Sequence, residues 1–167
     1  MDHPRRKRTR LENYDYSSPG AYFLTICTQD RKCILSEISV GAGVLDGPQL
    51  RLSTYGRNVE ETLREINRQY AWLSVENYVI MPNHVHLLVE IAENGPSGTP
   101  APTNAAIPRL VSILKRLSNQ NCGRKLWQRS YHDHVIRGEN DYLKIWNYIE
   151  TNPLKWERDC FYPQKQE

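Results

Sequence analysis

No stretch of this sequence approaches the ~20 consecutive apolar residues that a membrane span needs. Its first residues are charged rather than apolar, so no secretory signal is expected. Cys27, Cys33, Cys122 and Cys160 form no Cys-x-x-Cys pair. That spacing supports neither a zinc knuckle nor a dithiol redox motif, and it predicts four buried, reduced thiols in a cytosolic protein. A Gly-rich phosphate loop is missing, which removes the usual signature of a nucleoside triphosphate site. Neither an acidic cluster nor a Ser-His or Cys-His arrangement supports hydrolysis. No internal repeat is present, and 167 residues suit one domain with a core large enough to fold unaided.

Hydrophobic content of 39%, with ten tyrosines and four tryptophans, suits a globular chain. The net charge of +3 is modest but unevenly placed, because Arg5, Arg6, Lys7, Arg8 and Arg10 crowd into six positions. Such an arm meets a polyanion, nucleic acid first, or is simply a solvated tail. After it, Ala21 to Thr28 alternates β-formers as a first strand, and Gly41 to Pro48 reads as a loop or short hairpin. Ser53 or Thr54 caps a helix with the stripe Val59, Leu63, Ile66 and Tyr70. Trp72 to Met81 and His84 to Ile91 are the second and third strands, joined by a Pro82-Asn83 turn. Glu93 to Thr103, rich in Gly, Pro, Ser and Ala, reads as a flexible loop. Pro108 opens a second helix with the stripe Leu110, Ile113, Leu114 and Leu117, and Gly123 fits its stop. Leu126 to Arg137 holds a fourth strand, and a last helix runs from about Asn140 to Asn152, where Pro153 ends it. The order predicts an α+β fold: a ferredoxin-like βαββαβ antiparallel sheet with helices on one face, the other face free, and an added C-terminal helix. That fold hosts unrelated functions, so function must come from the site.

The run Met81 to Glu90 is the most telling segment. Strand alternation puts His84, His86, Leu88 and Glu90 on one face and the apolar Val85, Leu87, Val89 and Ile91 on the other. Two imidazoles about 7 Å apart along a core-backed strand can lean toward one ion. The alternative is a half-exposed hairpin with histidines on its wet face. His132-Asp133-His134 offers a second copy of the pattern.

In the last helix, Tyr142, Ile145, Trp146 and Ile149 form the core-facing stripe. At ~100° per residue, Tyr148 falls about 110° from the stripe centre, so core filling explains it poorly. Asn152 lies one turn further on the same flank. It is placed either to join Tyr148 and the histidines at a metal or to cap the helix end before proline.

Four separated motifs carry a resemblance to a known family. Met81-Pro-Asn-His-Val-His-Leu-Leu-Val resembles the HUH motif (His, hydrophobic, His) of single-tyrosine transposases, and Tyr148-Ile-Glu-Thr-Asn-Pro-Leu-Lys resembles their nucleophile helix. Tyr14 to Thr28 and Leu126 to Arg137 are similar to the REP-associated tyrosine transposases of bacteria. The resemblance spans about residues 5–158. It departs from the insertion-sequence enzymes at Asn152, where they place a glutamine and the REP-associated subgroup tolerates asparagine.

The resemblance implies a metal-dependent endonuclease and transposase that cleaves and rejoins single-stranded DNA at hairpin elements without ATP. Tyr148 is the implied nucleophile, forming a 5′-phosphotyrosine and a free 3′-hydroxyl. His84, His86 and Asn152 are the implied ligands of a divalent cation, Mg²⁺ or Mn²⁺. Implied partners are imperfect DNA hairpins preceded by a tetranucleotide, with no membrane, in a bacterial cytoplasmic, nucleoid-associated setting. The chain divides into the arm (1–12), the HUH transposase domain (13–152) and a C-terminal tail (153–167), acting as a monomer or homodimer. Arg5, Arg6, Lys7, Arg8 and Arg10 are candidate phosphate contacts, with Lys115, Arg116, Lys125, Arg129 and Arg137; Tyr131 and Trp127 are candidate stacking platforms. Two rivals are a non-catalytic hairpin-binding relative and a metal hydrolase built on His132 and His134.

Overall fold

The computed structural model describes residues 18–39, 48–93 and 106–163. The basic residues from Arg5 to Arg10, and the expected loop beyond Glu93, lie outside the described residues. The elements in chain order are β1 (Gly20–Cys27), the hairpin β2 (Ser36–Ser39) and β3 (Gln49–Leu52), α1 (Thr54–Gln69), β4 (Leu73–Ile80) and β5 (His84–Ile91). They continue with α2 (Ala106–Asn121), β6 (His132–Val135), α3 (Glu139–Thr151) and a 3-10 turn at Pro153–Arg158. One sheet runs β4-β5-β1-β6, antiparallel throughout, which is the expected ferredoxin-like arrangement; β2 and β3 form a small sheet of their own.

Local chemistry accounts for the element ends. Ser53 caps α1: its hydroxyl accepts from the Gly56 N–H at 3.1 Å and donates to the Ile34 carbonyl at 2.6 Å. Gly56 sits where a β-carbon would collide with the Leu35 carbonyl oxygen, so the first turn of α1 lies directly on the chain entering β2. Gly123 closes α2 at a φ of 62°, a left-handed conformation that glycine adopts without strain.

Alternation along β1 and β5 divides the molecule into two cores. Tyr22, Leu24, Ile26, Val85, Leu87 and Val89 pack under α1 and α2, against Val59, Leu63, Ile66, Leu110 and Leu114. On the opposite face, Leu88, Val79 and Met81 pack against Ile149, with Phe23, Ile145, Trp146 and Tyr142 at the margin. Burial of each such aliphatic side chain contributes about 1.5–3 kcal/mol. This corrects the expectation of a free face: α3 folds back across it, and His84 and His86 are only 0% and 1% exposed. The physical reason is the stripe on α3, which needs an apolar partner, and Phe23 and Leu88 supply one. The cysteine expectation is also corrected in part. All four thiols are free, but Cys33 and Cys160 are exposed, because neither lies on a core-facing position of a main element.

Candidate active site

The two central strands position the histidine pair. Register sets His86 opposite Thr25 and His84 opposite Cys27. The two imidazoles converge until their Nε2 atoms are 3.0 Å apart, the spacing of one N–H···N hydrogen bond or of two nitrogens on one small cation. Asn83 fixes the tautomer of His84. Its Nδ2 donates to the carbonyls of Phe161 at 2.8 Å and Arg31 at 3.3 Å, so its Oδ1 is left as acceptor for His84 Nδ1–H at 2.9 Å. His84 Nε2 therefore presents a lone pair to the site. The Thr25 hydroxyl, 2.8 Å from His86 Nδ1, donates or accepts, so it suits His86 with the proton on either nitrogen. Burial pushes both imidazoles down to about 3, with the Arg31 charge adding to the effect on His84 and the neighbouring imidazole adding to it on His86, where Asp159 opposes. Both are neutral at physiological pH, the form that binds metals.

Tyr148 comes from α3 and stands at the edge of this buried pair, 39% exposed. Its hydroxyl is 3.4 Å from His86 Nε2, and Phe23 meets its ring edge-on with centroids 5.8 Å apart. Burial raises its pKa, the Asp159 and Cys160 charges add to the rise, and the Asn152 amide opposes it. The phenol is accordingly protonated at neutral pH.

Asn152 ends α3 and is 3% exposed. Its Nδ2 lies 3.4 Å from Asp159 Oδ2, while its buried Oδ1 has no hydrogen-bond partner, a costly arrangement unless a cation or another donor faces it. Asp159 follows the 3-10 turn. Its Oδ1 accepts from the Phe161 N–H at 2.7 Å and its Oδ2 is 4.0 Å from His84 Nε2. The donor atoms of His84, His86 and Asp159 lie within 4.8 Å of one another and can hold a metal ion. Two neutral imidazoles, one carboxylate and an unpartnered amide oxygen suit a divalent cation. Phe161, 4.6 Å from the His84 ring between centroids, and Trp156, 6.1 Å away, form an aromatic wall beside it.

Residues 50–152, which hold both histidines, Tyr148 and Asn152, match the family model described as "Transposase IS200 like". The chain belongs to the IS200-like transposase family. This transposase is 33% identical to an uncharacterized protein of Haemophilus influenzae, an alignment that covers 94% of the chain and 93% of that protein. It is 26% identical to a second H. influenzae protein, provisionally named a REP-associated tyrosine transposase, over 87% of the chain and 77% of that protein. Its fold is shared with the solved structure of a REP-associated tyrosine transposase bound to a REP hairpin, with a TM-score of 0.60 at 20% identity, over 87% of this chain and 74% of that one. The transposase role and its action on DNA follow from the family. No helix among the described residues is long and apolar enough to cross a membrane.

The structure places His84, His86, Tyr148 and Asn152 near one another and sets Asp159 beside them, a residue that sequence reasoning did not single out. A lone carboxylate beyond a helix-ending proline carries no periodic signal, and the matched family region stops before it. Other candidates fare differently. Lys115 donates to the carbonyls of Gln128, Arg129 and Ser130 at 2.8, 3.1 and 3.2 Å, so its ammonium braces the segment before β6 in place of the phosphate contact expected of it. Partial burial lowers its pKa to about 8. Trp127 is no stacking platform, being 1% exposed with its indole N–H on Ser118 Oγ at 2.7 Å. Tyr131 is half-buried beside the main core. Arg116, Lys125, Arg129 and Arg137 are exposed, with side chains accessible to a ligand. His132 is exposed, and His134 pairs with Asp141 of α3 at 2.9 Å, so the second His-x-His copy ties α3 to the edge strand.

Proposed function

We propose that this transposase cleaves and rejoins single-stranded DNA at hairpin elements through a covalent tyrosine intermediate. The observation that carries the reading is the Tyr148 hydroxyl, 3.4 Å from the inner nitrogen of a buried neutral imidazole pair. Tyr148 Oη attacks the scissile phosphorus and the P–O3′ bond breaks. The products are a 5′-phosphotyrosine and a 3′-hydroxyl, with the phenolic proton ending on the released oxygen. The reverse attack rejoins strands, and no ATP is consumed because the phosphodiester energy is kept in the tyrosyl ester. His84, His86 and Asp159 would hold a divalent ion, Mg²⁺ or Mn²⁺, with Asn152 as a further ligand, to polarise the phosphate and steady charge on the departing oxygen. Asn83 and Thr25 orient the two imidazoles, and Phe23 seats the tyrosine ring.

Tyr148 reaches His86 of its own chain, so one chain carries the nucleophile and the imidazole pair together. The test is incubation of the protein with a labelled single-stranded hairpin oligonucleotide and Mn²⁺, followed by denaturing electrophoresis. A protein–DNA adduct is expected from wild type and none from Tyr148→Phe, which retains hairpin binding. Hairpin binding with no adduct from wild type would favour the non-catalytic reading, and an adduct that persists in Tyr148→Phe would move the nucleophile elsewhere.

A further inference from the structure

We infer that the pairs His134–Asp141 and Asn77–Glu150 are positioning residues for the nucleophile, pinning α3 to both edges of the sheet so that the Tyr148 hydroxyl faces His86. The inference rests on the tyrosine cleavage reading above. α3 carries a single buried residue, Ile149, and Tyr142, Ile145 and Trp146 of its stripe are only partly buried. So shallow an apolar seam resists separation but not sliding or rolling, because hydrophobic contact is non-directional. Hydrogen bonds supply the missing direction. His134 Nε2–H, on the edge strand β6, donates to Asp141 Oδ2 at 2.9 Å, and the same oxygen accepts the Arg137 N–H at 3.1 Å. Asn77 Nδ2, on the opposite edge strand β4, donates to Glu150 Oε1 at 3.0 Å.

The two pins fit this role in length and in angle. Asp141 and Glu150 are nine residues apart, about 13.5 Å of helix, and the three strand gaps from β6 to β4 span about 14 Å. Tyr148, seven residues beyond Asp141, lies about 10.5 Å along the axis. That is two strand gaps of about 4.8 Å from β6, which puts it over β5, the strand that carries His86. At ~100° per residue the two pinned carboxylates fall about 90° to either side of the stripe centre, Asp141 on the flank of Tyr148 and Glu150 on the other. A pin near each end prevents sliding, and pins on opposite flanks prevent rolling. Both pairs are exposed, where such pairs add little to stability, so holding the helix in place is what they contribute.

The test measures single-turnover adduct formation by the full chain at saturating hairpin DNA and Mn²⁺. His134→Ala and Glu150→Ala should each slow it by roughly 5-fold to 100-fold, the cost of moving a reacting atom by up to about 1 Å. Hairpin affinity and Mn²⁺ affinity should stay within about twofold of wild type, and Tm within about 4 °C. His134→Gln keeps a donor and Glu150→Gln an acceptor at the pinned ends, so both should recover most of the rate. A merely structural role would move Tm and affinity along with the rate. Alanine variants that cleave at the wild-type rate, or that slow only with a loss of hairpin affinity or a larger drop in Tm, overturn the positioning role. So do glutamine variants no faster than the alanine ones. Each of these results leaves the cleavage reading standing, since wild type still forms the adduct. A wild type that forms none overturns the cleavage reading and the positioning role with it.

Discussion

Acidification should unfold this protein through its buried histidine pair. In the unfolded chain His84 and His86 take up protons as the pH falls through the ordinary value of 6.5, while in the folded chain burial keeps both neutral until about pH 3. Between those limits the unfolded state binds more protons, so stability drops as pH drops and is insensitive to these groups above 6.5. At pH 5.0 each imidazole costs about 2 kcal/mol relative to pH 7.0, and the pair about 4 kcal/mol. For a chain of this size that is a fall in Tm of roughly 8–15 °C. The assay is thermal or urea unfolding at both pH values in EDTA, on wild type and on His84→Gln. The variant keeps every other titrating group, so it should show about 2 kcal/mol less of the pH 7.0 to 5.0 loss, whatever its absolute stability. A variant whose loss matches that of wild type to within about 0.5 kcal/mol would refute the claim that this imidazole is held neutral by the fold.

Asp159→Asn should weaken Mn²⁺ binding, read by calorimetry, by roughly tenfold to a hundredfold and reduce the covalent adduct in step; unchanged affinity would remove Asp159 from the ligand set. Lys115→Met should lower stability by about 1–2 kcal/mol, the partial exposure of the ammonium discounting the value of charged hydrogen bonds, while DNA affinity stays near wild type. A drop in affinity at unchanged stability would restore Lys115 as a phosphate ligand. Deleting residues 1–10 should flatten the plot of log affinity against log salt, by ~0.7 for each single-strand phosphate that the arm neutralises; an unchanged slope would make the arm a solvated tail.

Several features of this protein follow from periodicity alone. A two-residue repeat on β5 places His84 and His86 together, and a 3.6-residue repeat on α3 sets Tyr148 off the packing stripe. Both results need only the sequence, because side-chain direction within an element is fixed by backbone geometry over a few residues. The strand and helix order that gives the ferredoxin-like sheet is legible for the same reason.

What the tertiary structure alone decided is how distant segments meet. The 3-10 turn after Asn152 brings Asp159 to within 4.0 Å of His84, although 75 positions separate them in the numbering. α3 covers the face that carries the imidazoles and so keeps them neutral, and Lys115 and Trp127 turn inward to brace the segment between α2 and β6. None of these meetings has a local signature. Each depends on an apolar stripe or a polar donor finding a partner far along the chain, and that partner is chosen by packing and desolvation over the whole fold.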